Sequence, residues 1–112
     1  MSISYDSIGQ VCITCLSNGV QVNQPIKLIS NNSVSPCVDG DAIEGVVAAT
    51  HANLSTVAVK GFVTLTYVGA APTLGYCPLA AAGNGKVKKQ DGARDYLVVD
   101  VETNKKTVTF CM

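Results

Sequence analysis

The sequence predicts an all-β protein: a small single-domain β-barrel or sandwich of about seven or eight short strands, ending in a C-terminal hairpin. Three observations carry this. Short runs rich in Val, Ile, Thr and Tyr recur at intervals of roughly ten residues. Clusters of Gly, Asn, Asp and Pro separate them and supply turn chemistry. The chain has 112 residues, 47% of them hydrophobic, enough to bury a core without disulfide or metal staples.

The elements follow in order. Residues 1–9 (MSISYDSIG) mix Ile3, Tyr5 and Ile8 with serines and form an N-terminal arm or first strand, ahead of a single β domain over 10–112. Gln10 to Leu16 is a strand in which Val11, Ile13 and Cys15 share one face. Ser17-Asn18-Gly19 turns the chain, because both Asn and Gly tolerate positive φ. Pro25 to Ser30 is the next strand, and Asn31-Asn32-Ser33 and Pro36 to Asp41 are turn clusters. Ala42 to Thr50 reads as a strand because Val46-Val47 outweighs its alanines, with Gly45 marking a bulge or close backbone approach.

His51-Ala52-Asn53 is a turn. Thr56 to Val68 is the clearest strand signal and is too long for one straight strand, so Gly61 is expected to bend it or mark a bulge. Ala70 to Pro78 reads as a loop, and Leu79 to Ala82 as a helical turn at most. Gly83-Asn84-Gly85 is a hairpin turn into Lys86-Val87-Lys88, and Asp91-Gly92 turns again. Tyr96 to Val101 and Thr107 to Phe110 close the chain as a hairpin around the polar loop 102–106. No internal repeat stands out.

Charge narrows the function classes. Eight basic and eight acidic side chains cancel, whereas duplex binding draws on a basic excess; no nucleic-acid partner is expected. Low charge density gives little colloidal repulsion and suits a surface inside an assembly. The start has no basic n-region, and no run of about 20 apolar residues exists, so neither a secretory signal nor a membrane helix is expected. The expected site of synthesis is the cytoplasm, with the five cysteines as reduced thiols.

Candidate chemical groups are sparse. Cys12 and Cys15 form one C-x-x-C, and Cys37 is the nearest third thiol for a metal. Zinc sites need convergent ligands, and strand positions three apart face opposite sides, so small buried apolar residues are the better reading. His51 is the lone histidine, in a polar turn with no cysteine placed beside it, which argues against an enzyme. Asp39-Gly40-Asp41 lacks the rest of a calcium loop, and Gly83-Asn84-Gly85-Lys86 lacks the rest of a phosphate loop. Both are turns. No cofactor is expected.

From Gly40 to Met112 the layout resembles small phage and prophage virion proteins of the head-decoration or head-fibre type. The resembling stretches are Gly40-Asp41, Glu44-Gly45-Val46-Val47, VAVKGFVTLTYVG, PTLGYCPLAAAGNGKVKK and RDYLVVDVETNKKTVTFCM. The five cysteines depart from that group. The resemblance implies a non-catalytic structural protein located in the virion. It implies a homotrimer or other homo-oligomer that binds the major capsid protein shell and stabilises it. By position it places partner contact on the arm residues Ile3, Tyr5 and Ile8. The alternative is a cysteine-based metal- or partner-binding module without catalysis.

Overall fold

A computed structural model describes residues 10–17 and 19–112. Ile3, Tyr5, Ile8 and the turn residue Asn18 lie outside the described residues. Ten strands are present among the described residues: β1 (Val11–Ser17), β2 (Pro25–Ser30), β3 (Ser33–Pro36), β4 (Gly45–His51), β5 (Leu54–Lys60), β6 (Phe62–Val68), β7 (Gly75–Gly83), β8 (Lys86–Lys89), β9 (Asp95–Glu102) and β10 (Thr107–Cys111). They form two closed barrels of five strands each, ordered β1-β3-β2-β4-β5 and β10-β6-β8-β7-β9.

The two barrels have the same topology. In each, the first strand pairs parallel with the third (β1 with β3, β6 with β8) and antiparallel with the fifth (β1 with β5, β6 with β10). The registers also correspond. Leu28 faces Val34 as Ala81 faces Val87, and a bulge follows each pair. Thr14 faces Thr56 as Thr64 faces Thr109. Val47 faces Val57 as Val98 faces Phe110, with a bulge beside each. One register differs: Pro25 pairs with Val46, whereas Pro78 pairs with Asp95, two residues short of the position equivalent to Val46.

This duplication corrects the sequence reading, which found no repeat. Equivalent positions differ by 50 residues in β1/β6 (14 to 64), 53 in β3/β8 (34 to 87) and 51 in β4/β9 (47 to 98), so no constant period exists. What is retained is a set of five core positions. Cys15, Ile26, Val34, Val47 and Val57 form the first barrel's core. Their counterparts Leu65, Leu79, Val87, Val98 and Phe110 lie in the second. Every pair is apolar and buried, and most are not identical. Hydrophobic burial constrains polarity and rough size more than identity.

Other expectations change as well. Ser33–Pro36, read within turn clusters, is a strand, because its hairpin partner β2 supplies the ladder. Gly75–Gly83, read as loop and helical turn, is the longest strand; Leu79, Ala80 and Ala81 are buried between β8 and a loop of the first barrel. Tertiary pairing overrides the weak strand propensity of its alanines. Thr56 to Val68 is two strands, and Gly61 is the junction between the barrels. Its φ is 109°, and a Cβ there would sit 2.8 Å from Gln10 Cα. Gly45 is a close approach and not a bulge: a Cβ would lie 2.6 Å from Val57 Cγ1. The bulge falls between Val47 and Ala49. The terminal hairpin β9–β10 is as expected.

The first half also contributes to the second barrel's core. Cys37, Ile43 and Val46 of the first half pack with the second barrel's interior. The segment linking β3 to β4 is stitched across: Gly40 N–H donates to Ala81 O at 2.8 Å, and Ala81 N–H donates to Asp41 O at 2.9 Å.

Candidate interaction surface

The aspartates of the β3–β4 segment fix its conformation. The Asp41 carboxylate accepts the Val38 N–H and pairs with Lys27 Nζ, each at 2.9 Å, while Asp39 pairs with Lys88 at 2.7 Å. The Val38 hydrogen bond, then Lys27, holds the Asp41 carboxyl below its ordinary range. The hydrogen bond from Lys27 raises that amine in return. The turn role is the one the sequence suggested for Asp39-Gly40-Asp41; the ion pairs to Lys27 and Lys88 are added by the fold.

The three candidate cysteines, Cys12, Cys15 and Cys37, do not gather. Cys12 is exposed on β1, Cys15 belongs to the first barrel's core and Cys37 to the second's. Burial, then the nearby Asp41 charge, pushes the Cys37 thiol up to about 11. Its Sγ donates to Ala42 O at 3.6 Å. Among the described residues no three His, Cys, Asp or Glu side chains are grouped to hold a metal ion. His51 ends β4, exposed, with Leu54 as its register partner.

The larger contrast lies between the barrel surfaces. Among the described residues, eight of the ten large exposed hydrophobic side chains belong to the first half of the chain. Residues 11–60 carry five charged side chains (Lys27, Asp39, Asp41, Glu44, Lys60), and residues 62–112 carry ten. On the outer face of β4, β5 and β1 the cross-strand row is His51, Leu54 and Leu16. Leu54 and Leu16 are 41% and 49% exposed. The equivalent row on β9, β10 and β6 is Glu102, Thr107 and Thr66. The next row is Ala49, Thr56 and Thr14, against Asp100, Thr109 and Thr64. In the second barrel Thr64 and Thr109 share a 2.7 Å hydroxyl hydrogen bond. One fold thus presents an uncharged, leucine-bearing face in its first copy, whereas its second copy carries Glu102, Asp100 and threonines at those positions, with Thr109 only 4% exposed. A shallow depression of about 190 Å³ on the first face is lined by Thr14, Ala49, His51, Leu54 and Thr56, among others.

Sequence reasoning missed this surface, because the contrast becomes visible once the two barrels are superposed position by position. A second feature it missed is a cleft of about 590 Å³ between the β3–β4 segment, β7 and the β8–β9 turn, bordered by Leu28, Glu44, Arg94 and Tyr96. Burial raises the Tyr96 phenol, whose hydroxyl donates to Ile43 O at 2.9 Å. The Arg94 guanidinium lies over the Tyr96 ring, 5.2 Å from its centroid.

Comparison with known proteins finds no matching family model, no matching curated protein and no matching solved structure. No helix among the described residues is long and apolar enough to cross a membrane.

Proposed function

We propose that this chain is a non-catalytic structural protein that docks through its first barrel onto a larger protein assembly, in the manner of a phage head-decoration protein on its capsid. The observation that carries the reading is the outer face of β4, β5 and β1, where Leu16 and Leu54 stand exposed at positions held by Thr66 and Thr107 in the second barrel. Exposed apolar area in a monomer marks an interaction surface when it is contiguous and free of charge. The second barrel, with twice the charge, faces solvent in this arrangement. The named virion setting rests on the sequence resemblance. Self-association into a trimer or other homo-oligomer belongs to the same reading, since a symmetric assembly repeats the docking face.

The reading predicts a major capsid gene beside the one for this chain, and the test is co-sedimentation with empty shells of that capsid protein; absence of such a gene overturns the virion setting. Wild type is expected to pellet with the shells at saturable stoichiometry. Leu16→Glu/Leu54→Glu, a change confined to exposed positions, is expected to remain folded and stay in the supernatant. Wild type remaining in the supernatant, or the double variant pelleting equally, overturns the reading.

A further inference from the structure

Leu28 and Ala81 occupy the same place in the two barrels, each opposite a buried valine of its hairpin, Val34 and Val87. Their outer edges are treated differently. Both main-chain polar groups of Ala81 are taken by the turn between β3 and β4, through Gly40 N–H and Asp41 O. Among the described residues no backbone segment covers Leu28 in this way. β2 pairs with β4 at Pro25 and Ile26, and the Leu28 N–H then donates to the Glu44 side chain, Oε1 at 2.9 Å. Leu28 and Ile29 are left 53% and 54% exposed. A side-chain carboxylate stands where the second barrel has main-chain partners from that turn.

The edge opens into the cleft bordered by Glu44, Tyr96 and Arg94. The two ion pairs among the described residues are Lys27–Asp41 and Lys88–Asp39, so Arg94 has no carboxylate partner there. Its guanidinium is held over Tyr96. An arginine fork is suited to a carboxylate. Extended peptides add to uncovered sheet edges through main-chain bonds, with side-chain pockets giving selectivity.

We infer that this cleft is a peptide-docking site, in which an extended segment of another protein pairs with β2 at Leu28 and places an acidic side chain on Arg94. The incoming carbonyl takes the Leu28 N–H from Glu44, and Glu44 is released toward solvent or onto a main-chain N–H of the peptide. The inference uses a surface separate from the Leu16–Leu54 face, so it stands or falls independently of shell docking.

The experiment pans a random, linear twelve-residue peptide display library on the full chain and on Arg94→Gln. The expected result is a family of binders sharing an Asp or Glu. Their synthetic versions should bind Arg94→Gln about tenfold more weakly, the loss of one charge-assisted contact. Backbone amide NMR shifts on titrating the best peptide are expected to centre on Leu28, Ile29, Glu44 and Tyr96. No enriched family, binders without an acidic residue, or binders held equally by Arg94→Gln overturn the inference. Shifts centred on another surface overturn it as well. Concentration-dependent shifts at Leu28 without peptide would overturn the choice of occupant, identifying a second copy of this chain instead.

Discussion

The hydroxyl of Tyr96, in β9, donates a 2.9 Å hydrogen bond to the carbonyl oxygen of Ile43, in the segment before β4, and so ties the interior of the second barrel to the first. The same ring packs edge-on against Phe110, with centroids 5.2 Å apart. Tyr96→Phe keeps the ring and leaves the Ile43 carbonyl without this donor. A buried polar group stranded in this way costs about 1–3 kcal/mol. Urea denaturation is expected to show a lower midpoint with an unchanged slope. Because Cys37, Ile43 and Val46 pack into the second core, one cooperative transition is expected for both barrels.

Gly61 joins the barrels under two constraints: a φ of 109°, and Gln10 backbone atoms within 3.1 Å of any added Cβ. Its carbonyl also accepts the Met112 N–H at 2.9 Å. Gly61→Ala combines backbone strain with overpacking and should destabilise by about 2–4 kcal/mol. Gly69, with a φ of 76° and open space around it, is the control: Gly69→Ala should cost about 1 kcal/mol. Equal losses for the two, measured by thermal or urea unfolding, would contradict the close approach at Gly61.

The duplication predicts a stabilising substitution. Ser55 is 2% exposed, and its Oγ has no hydrogen-bond partner among the described residues. The equivalent position in the second barrel is Val108, fully buried. Ser55→Ala removes an unsatisfied hydroxyl without adding volume. It is expected to leave stability unchanged or raise it by about 1 kcal/mol, read from the urea midpoint. A loss above about 1 kcal/mol would indicate that the hydroxyl is satisfied.

Cys37 sets an alkaline limit. Its thiol, pushed up to about 11 by burial and Asp41, is protonated in the folded state where an unfolded thiol of ordinary value near 9.0 has ionised. The folded state therefore binds more protons between about pH 9 and 11, and stability from this group falls as pH rises through that window. Cys37→Ala is expected to show a shallower loss of stability over the same range, at the cost of a small cavity. Alkylation at pH 8 should modify exposed Cys12 well before Cys37.

The all-β class, the C-terminal hairpin β9–β10, strand β2 and the turns at Gly83-Asn84-Gly85 and Asp91-Gly92 were legible in the sequence, because each rests on local chemistry: alternating side chains and residues that accept positive φ. Among the sites, the turn roles of Asp39 and Asp41 were legible for the same reason. β3 and β7 were not, since Ser33–Pro36 and the alanines of Gly75–Gly83 are weak strand formers that become strands only in the hairpins they make with β2 and β8. Nor was the barrel pair. Unequal connections shift the equivalent positions by 50, 51 or 53 residues, and a core asks for apolar bulk at five places without asking for the same residues. The sequence by itself determined that this chain would bury alternate residues of short strands. Tertiary structure decided that it would do so twice, leaving Leu16 and Leu54 bare where the second copy carries threonines, because outward positions are free of the packing that holds the two interiors alike.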